Sequence, residues 1–465
     1  MTKLNLRGKD LQRIGFADDR AMSVAKNIML KYYKHHNKAE ALEILKKVHK
    51  NPDKFINHPH LGKIAEVLQG KKQSQKKISV SLDEQKPYKI YGKEGIEKGA
   101  QDQMATAMQL PIALQGALMP DAHQGYGLPI GGVLATKNEV IPYGVGMDIG
   151  CRMCMSIYDL NIDQIHKNET RLKNLLAENT RFGRAEFQGS KNHPVLERQE
   201  LNEIGFLKTL KKKAHEQLGT SGHGNHFVDI GVLEVKEYIP EHDLQPGTYF
   251  TILSHSGSRG PGAEIARHYT KVAMDKCDLP KGARALAWLD LSSEEGTEYW
   301  KAMNWAGDYS AANHHVIHEK LSEALGTKPH TMLENHHNFA WKEKLPSGET
   351  AIIHRKGATP AHKDVLGIIP GSMASPGYLV RGKGNGEALN SAAHGAGRVM
   401  SRSQAKKQFQ AKELQELLDE KGVVLIGGGL DESPLAYKDI NEVMQLQEEM
   451  VNVLAIFKPK IVRME

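Results

Sequence analysis

The sequence predicts an α+β protein in which a small, basic, helical segment precedes a larger body of mixed helices and strands. Two observations support this prediction. Apolar residues recur at three- and four-residue steps before residue 70, and short β-rich runs separated by glycines follow after about residue 85. A chain of 465 residues can bury a large core and form more than one structural unit. We therefore expect a helical segment at residues 1–80 and a single larger domain at residues 86–465.

The N-terminal segment shows helical periodicity over residues 18–69. Its apolar positions share the spacing of a buried helix face, and they are Met22, Ala25, Ile28, Met29, Tyr32, Tyr33, Ala41, Ile44, Leu45, Val48, Ile64, Val67 and Leu68. The stretch at residues 70–77 is polar and charged and has no apolar anchor. It predicts a linker between the two parts.

The larger body contains both kinds of pattern. Runs rich in β-branched and apolar residues predict strands at 130–135, 248–253, 351–354 and 423–426. Longer stretches with helical spacing predict helices at 202–218, 296–325 and 440–453. This mixture, with glycine-rich turns in the loops, is typical of an α+β domain.

The composition is that of a folded, water-soluble protein. Hydrophobic residues make up 40% of the chain and charged residues 25%, and the mean hydropathy is −0.49. No run of about 18 apolar residues predicts a membrane span, and the N-terminus lacks the apolar region of a signal peptide. We therefore expect a cytoplasmic protein with no membrane partner. The only cysteines, Cys151, Cys154 and Cys277, are too few and too scattered for a disulfide framework.

Positive charge is concentrated near the N-terminus. Residues 1–80 contain 18 Lys or Arg and only 7 Asp or Glu, whereas the whole chain has a net charge of +7. Such a basic segment suits a polyanionic partner. Lysine-rich, solvated helix faces are the alternative interpretation, and charge alone favours it.

Two glycine-bounded loops carry side chains that bind metals. One spans residues 120–127 and the other residues 144–151, which hold Asp148 and Cys151 three positions apart. Cys151 and Cys154 also form a C-x-x-C pair, which alone would suggest a zinc or redox site. The chain has no second C-x-x-C, however, and a glycine-rich loop is not the setting of a thioredoxin-like motif. We therefore predict a ligand role for Cys151 and a buried core position for Cys154.

Three histidines lie in similar polar, glycine-rich surroundings: His226, His255 and His337. Each of them alone is more often structural than a ligand. Together with Asp148 and Cys151 they form a mixed sulfur, nitrogen and oxygen set, and this conjunction favours a metal site.

Other glycine-containing stretches suit phosphate groups. Residues 258–260 and 355–359 place arginine or lysine beside a glycine, and residues 370–373 and 394–398 offer accessible backbone N–H groups. Neither a Walker A motif nor a G-x-G-x-x-G following a strand is present. The sequence therefore does not favour an ordinary P-loop or Rossmann site.

Taken in order, these motifs resemble those of the RtcB family of RNA ligases. The similarity runs from about Tyr88 to the C-terminus, roughly four fifths of the chain, and its motifs are PDAHQGYGLPIGG, GVGMDIGC, GNHF, SHSGSRG, HHN, RKGAT, PGSM, HGAGR and LAYKDI. The resemblance implies a single α+β catalytic domain with a deep, polar central cleft.

The resemblance also implies a mechanism with two manganese ions per chain and GTP as co-substrate. Asp148, Cys151 and His226 would hold one ion and Cys151, His255 and His337 the other, with the Cys151 thiolate as the bridge. His394 would attack the α-phosphorus of GTP and form guanylyl-histidine. GMP would then pass to an RNA 3′-phosphate, itself formed from a 2′,3′-cyclic phosphate, and an RNA 5′-hydroxyl would displace it.

The family pattern further implies the residues that contact the nucleotide. They are Asn225, His226, Phe227, Val228, Asp229, His337, Asn338, Pro370, Gly371, Ser372, Met373, Gly377, His394, Gly395, Ala396, Gly397, Tyr437 and Arg463. Arg259, Arg355 and Lys356 are hypothesised to contact RNA phosphates because they lie in glycine-bounded loops. The implied partners are broken tRNA or rRNA, GTP and an accessory activator.

The chain departs from the family pattern in three places. Asp229 stands where glutamate is common, Gly377 replaces a usual serine two residues after Ser375, and Arg463 lies near the position of a terminal lysine. The basic N-terminal segment is outside the common core and suggests an additional RNA-binding or docking module.

Two alternatives to a ligase are a two-metal RNA phosphoesterase, with His394 as proton donor, and a non-catalytic RNA-binding protein.

Overall fold

The computed structural model describes residues 4, 6–17, 19–69, 78–187 and 192–465. The chain divides into two compact units, Met1–Ile78 and Ser79–Glu465. The linker predicted at residues 70–77 lies outside the described residues. No helix of the described ranges is long and apolar enough to cross a membrane.

The first unit is helical, as its periodicity predicts. Its helices are α1 Gly8–Arg13, α2 Asp19–Tyr32, α3 Lys38–Lys50 and α4 Gly62–Gln69. Helix α3 begins with a reciprocal cap, in which the Asn37 side chain accepts a hydrogen bond from the backbone N–H of Glu40 and the Glu40 carboxylate accepts one from that of Asn37. The predicted apolar face, except for Tyr32, packs into the unit's own core around Leu11, Phe16 and Leu45. Tyr32 is exposed.

The second unit mixes helices with many strands. Its helices are α5 Lys98–Ala107, α6 Pro142–Val145, α7 Gln164–Lys167, α8 Glu169–Asn179, α9 Glu200–Glu203, α10 Gly205–Gln217, α11 Arg259–Lys276, α12 Glu294–Leu325, α13 Arg402–Gln408, α14 Ala411–Lys421 and α15 Ile440–Gln445. The longest, α12, is a core helix whose Tyr299, Trp305 and Tyr309 are fully buried.

The strands, numbered along the whole chain, are mostly short. They are β1 Ile78–Ser79, β2 Lys89–Ile90, β3 Ala113–His123, β4 Ile130–Thr136, β5 Glu139–Val140, β6 Arg152–Tyr158, β7 Phe227–Val235, β8 Gly247–Ser256, β9 Cys277–Asp278, β10 Leu289–Asp290, β11 Thr331–His336, β12 Asn338–Lys344, β13 Thr350–Lys356, β14 Ala358–Pro360, β15 Leu366–Ile369, β16 Gly377–Gly382, β17 Ser391–Ala393, β18 Val424–Ile426 and β19 Val451–Arg463.

Two larger sheets organise the second unit. One has the order β11-β6-β8-β7-β19-β16-β15, with β18 beside β19, and the other has the order β12-β13-β4-β3-β2. The pairings are antiparallel except for β18 with β19 and β2 with β3. The chain passes from the first sheet to the second through one residue, His337, which separates β11 from β12. The predicted α+β class is confirmed.

One predicted helix is only partly correct. The helix expected at residues 440–453 ends as α15 at Gln445, and strand β19 begins at Val451. Strand β19 is paired on one side with β7 and on the other with β16. Pairing on both sides satisfies its backbone groups, which outweighs the local helical spacing.

Candidate metal and nucleotide site

The predicted metal ligands converge because four neighbouring strands begin or end at one place. Cys151 immediately precedes β6, His226 immediately precedes β7, His255 lies near the end of β8 and His337 follows β11. Since β11, β6, β8 and β7 are adjacent in the sheet, these ends lie side by side. Asp148 reaches the same point from the loop between α6 and β6.

The loop that carries Asp148 and Cys151 depends on glycine. Gly150 has a φ of +70°, and a Cβ there would lie 2.8 Å from the Cα of Gly307. Across the site, a Cβ on Gly257 would come within 2.1 Å of the Asp148 carboxylate. Only glycine leaves room for the carboxylate at that position.

The ligand atoms form two groups that share Cys151. In the first, the Nε2 of His226 lies 3.0 Å from Asp148 Oδ2 and 3.5 Å from Cys151 Sγ. In the second, the Nε2 of His255 lies 3.2 Å from Cys151 Sγ and 3.2 Å from the Nε2 of His337. Within each group all the ligand atoms lie within 4.8 Å of one another.

Hydrogen bonds on the outer side of the rings assign the proton to Nδ1 in two of these histidines. His226 Nδ1 lies 2.6 Å from the carbonyl oxygen of Ser221, and His255 Nδ1 lies 3.0 Å from that of Asn225. Because a carbonyl only accepts, each Nδ1 carries the proton and each Nε2 turns its lone pair into the cluster. Lone pairs that converge in this way, with the opposite ring nitrogen anchored, fit a bound metal ion.

Burial disfavours the charged forms of His255 and His337 and of the Cys151 thiol in the absence of a cation. It lowers the pKa of His255 to about 3 and holds the pKa of His337 well below its usual range. Burial, together with the charge of Asp148, raises the pKa of Cys151 well above its usual range. A divalent cation would reverse this effect on the thiol, because it stabilises the thiolate that binds it. The donor set therefore fits a divalent metal.

A second histidine cluster lies on the far side of strand β8. Cys154 is fully buried, as predicted, near His314 and His318 of α12. All four ring nitrogens of these two histidines are within hydrogen-bonding distance of oxygen atoms of Ser156, Ser254 and Ser256. This cluster is therefore a hydrogen-bonded part of the core.

His394 is held by an aspartate to which the sequence interpretation gave no role. Asp121 Oδ2 lies 2.7 Å from His394 Nδ1 and accepts a 3.2 Å hydrogen bond from its backbone N–H. The carboxylate is fully buried, and the Lys438 ammonium donates to the backbone carbonyls on either side of it, those of Pro120 and Ala122. With Nδ1 occupied, Nε2 of His394 is the free nitrogen. The signal that could have indicated Asp121 is its place in the glycine-bounded PDAH segment.

A cavity of about 240 Å³ lies beside His394. It brings together most of the predicted nucleotide residues: Asn225, Phe227, Asp229, Pro370, Gly371, Ser372, Met373, Gly377, His394, Gly395, Ala396, Gly397 and Tyr437. Ser375 also lines it, with its Oγ 2.8 Å from that of Ser372. Gly377 has no side chain to offer a hydroxyl at the cavity, but Ser375 provides one there.

Sequence interpretation missed the charged wall of this cavity. Arg398, Arg402 and Glu432 line it, and the buried Glu432 accepts a hydrogen bond from the Tyr437 hydroxyl and pairs with Arg402. On another wall, Asp229 is buried, its Oδ1 has no hydrogen-bond partner among the described residues, and burial raises its pKa well above the usual range. Asp229 therefore faces the cavity as an unsatisfied polar group.

Five predicted nucleotide residues lie elsewhere. His226 and His337 belong to the two groups of candidate metal ligands. Asn338 accepts from Gly357 N–H at 2.7 Å and donates to the Asp148 carbonyl at 3.3 Å.

Val228 and Arg463 do not line this cavity, because strand alternation turns both side chains away from it, and their contacts with the nucleotide stay predictions. They are partners in the β7–β19 ladder. Val228 packs in the core, and the Arg463 guanidinium lies 5.3 Å from the ring of Phe182.

The three proposed RNA contacts differ in their surroundings. Arg259, at the start of α11, is partly buried and donates to Thr220 Oγ1 at 3.2 Å, and its charge acts on Asp148 and Cys151. The Arg355 side chain is fully buried and forms an ion pair with Glu343. Lys356 is also buried, and its ammonium donates to backbone carbonyls. The structure gives both side chains partners within the protein, and their RNA contacts stay predictions.

Comparisons with known proteins agree with this arrangement. A family model described as tRNA-splicing ligase RtcB matches residues 103–465. The RNA-splicing ligase RtcB of Escherichia coli (strain K12) is 32% identical over 404 residues, which covers 80% of this chain and 95% of that protein. The tRNA-splicing ligase RtcB of Nanoarchaeum equitans is 31% identical, covering 80% of this chain and 94% of that protein. The matched region begins after the N-terminal helical unit.

Proposed function

The chain belongs to the RtcB family of tRNA-splicing ligases, and from this premise we propose that it is a GTP- and manganese-dependent RNA ligase. It would join RNA ends that carry a 3′-phosphate or 2′,3′-cyclic phosphate to ends that carry a 5′-hydroxyl. The proposal rests on the position of His394. Its Nδ1 is held by Asp121, it lines the cavity, and its ring lies next to that of the proposed metal ligand His337.

His394 would act as the nucleophile through Nε2. Its lone pair attacks the α-phosphorus of GTP, the bond from that phosphorus to the bridging oxygen breaks, and pyrophosphate leaves. The new N–P bond places positive charge on the ring, and the Asp121 carboxylate, 2.7 Å from Nδ1, stabilises that charge. The His337 ring, centred 4.9 Å from that of His394, connects the nucleophile to the metal cluster.

The five metal ligands would hold manganese close to the reacting phosphate. Manganese bound there would neutralise phosphate oxygens during the transfer. The carbonyls of Ser221 and Asn225 hold the rings of His226 and His255 in the orientation that binding requires. Arg259, whose charge acts on Asp148 and Cys151, adds positive charge for an RNA phosphate.

The later steps use the same site. GMP passes from His394 to the RNA 3′-phosphate and gives an RNA(3′)pp(5′)G intermediate. The 5′-hydroxyl of the other RNA end then attacks the activated phosphorus, and GMP leaves. Broken tRNA or rRNA is the proposed substrate, and the basic N-terminal unit and an accessory activator are proposed contributors.

Incubation with α-labelled GTP and manganese tests this function. Wild-type protein is expected to retain the label covalently, and His394→Ala to lose it, because no other group takes the place of Nε2. His166→Ala, an exposed histidine in α7, is the matched control and should label as wild type. A wild-type protein that takes up no label, or releases phosphate from a 3′-phosphorylated RNA without joining it, would contradict the proposal.

Asp229 is proposed to select guanine. Its carboxylate can accept hydrogen bonds from N1–H and the exocyclic amine of guanine together, whereas adenine offers no such pair. Asp229→Asn should therefore weaken GTP binding on the order of 10-fold or more and reduce the preference of the protein for GTP over ATP.

GTP binding by the wild-type protein should also depend on pH. Burial raises the pKa of Asp229, and only the ionised carboxylate accepts both hydrogen bonds from guanine. The affinity for GTP should therefore increase as the pH rises through that pKa.

Competition between labelled GTP and unlabelled ATP measures this preference. Asp243→Asn, in a turn after residues 240–242 and away from the cavity, provides the control. Equal selectivity in wild type and Asp229→Asn would remove Asp229 from guanine recognition.

A further inference from the structure

An exposed tyrosine three residues after His123 has no role in the chemistry described so far. Tyr126 is 75% exposed, the highest value among the large hydrophobic side chains of the described residues. It lies between Gly125 and Gly127, just after β3. Gly127 has a φ of +72°, and a Cβ there would lie 3.0 Å from the carbonyl oxygen of Ala285. The loop is thus shaped to present this side chain to solvent.

The ring of Tyr126 lies next to that of Tyr143. Its centroid lies 6.3 Å from that of Tyr143, with 30° between the ring planes. The buried ammonium of Lys356 donates to the backbone carbonyls of both tyrosines and lies 5.9 Å from the Tyr143 ring centre. Lys356 therefore ties together the backbones of the two loops that carry the tyrosines.

Both tyrosines are close in the chain to reacting groups. Tyr126 follows His123, which lines the cavity, by three residues, and Tyr143 precedes the metal ligand Asp148 by five. Gly357, next to Lys356, approaches the His394 ring so closely that a Cβ there would lie 3.0 Å from its Cε1. Neither tyrosine lines the nucleotide cavity. The exposed ring therefore lies outside the cavity proposed for GTP, on a loop that Lys356 connects to the segment that touches His394.

We propose that Tyr126, backed by Tyr143, stacks on the nucleobase of the RNA nucleotide that carries the reacting end. This inference rests on the proposed ligase function. Unpaired bases at RNA ends are commonly held on aromatic side chains, and stacking accepts any base because every base has a flat π-face. Such a contact suits an enzyme that must accept broken ends of different sequence.

RNA binding with and without the terminal base tests the proposal. Two oligonucleotides, one with a 3′-phosphate and one with a 5′-hydroxyl, are each prepared with an intact or an abasic terminal nucleotide. Wild-type protein should bind at least one intact RNA more tightly than its abasic form, on the order of 10- to 100-fold. In Tyr126→Ala this ratio should approach one, and Tyr126→Phe, which keeps the ring, should restore it.

The controls separate stacking from folding and from the ligase function itself. Tyr238→Ala removes a tyrosine that is 46% exposed outside the cavity and should keep the wild-type ratio, and thermal unfolding shows whether each variant is folded. A ratio near one in wild type for both RNAs, or an unchanged ratio in folded Tyr126→Ala, would overturn the proposal. Failure of the ligase function appears separately, as wild-type protein that takes up no label from GTP.

Discussion

Asp121→Asn is expected to slow covalent labelling by GTP by a factor on the order of 10² to 10⁴, comparable to the loss of the aspartate in a Ser-His-Asp triad. Two properties of the carboxylate explain this. It accepts from both the backbone N–H and Nδ1 of His394, so it orients the ring and directs Nε2 to the substrate. It also carries the charge that stabilises the ring once phosphorus is attached. Asparagine retains the shape but loses the charge.

The effect of Asp121→Asn should appear in the rate of the chemical step. Single-turnover labelling at several GTP concentrations separates that rate from GTP binding, which we expect to change little because Asp121 does not line the cavity. Asp102→Asn, an exposed carboxylate in α5 that pairs with Lys98, is the matched control. Labelling of Asp121→Asn at the wild-type rate would show that His394 does not need this partner.

Cys151→Ser is expected to remove both metals, because Cys151 is the one ligand shared by the two groups. A serine hydroxyl does not ionise in the physiological range and is a poor substitute for a thiolate. Metal content after dialysis against manganese should fall from about two ions per chain toward none. Replacing a residue that only supports a metal ligand typically lowers metal affinity or activity about 10- to 100-fold. Loss of the ligand itself should therefore lower labelling by GTP at least about 100-fold.

Cys154→Ser is the control for this experiment. This second thiol is three residues away and equally buried, but it faces His314 and His318 and not the predicted ligands. Its replacement should leave the manganese content unchanged. Retention of two manganese ions by Cys151→Ser would disprove the shared-ligand arrangement.

The helices and strands could be predicted from the sequence only in part. The periodic apolar face of residues 18–69 forms α2, α3 and α4, and the β-rich run at 351–354 forms β13. The failure after Gln445 has a physical cause. Local spacing there suits a helix, but β7 and β16 leave a gap in the sheet that only a strand can fill.

The candidate site could be predicted only in part. Glycine-bounded Asp, Cys and His residues indicated metal chemistry, and the five predicted ligands do converge in the structure. The charged wall formed by Arg398, Arg402 and Glu432 was not predicted, because Arg402 and Glu432 carry no recognisable spacing and the HGAGR motif gave Arg398 no role of its own. They meet at the cavity only after the chain has folded.

The sequence by itself determined the fold class, the family motifs and the chemical types available at the site, because periodicity and short motifs are local properties of the chain. The tertiary structure alone decided which charged groups can act. It buried Arg355 against Glu343, turned Arg463 away from the cavity, and left Arg259 where its charge acts on Asp148. It also placed Asp121 against His394, although 272 residues separate them in the chain. Burial and partners depend on contacts between distant segments, and no local pattern encodes them.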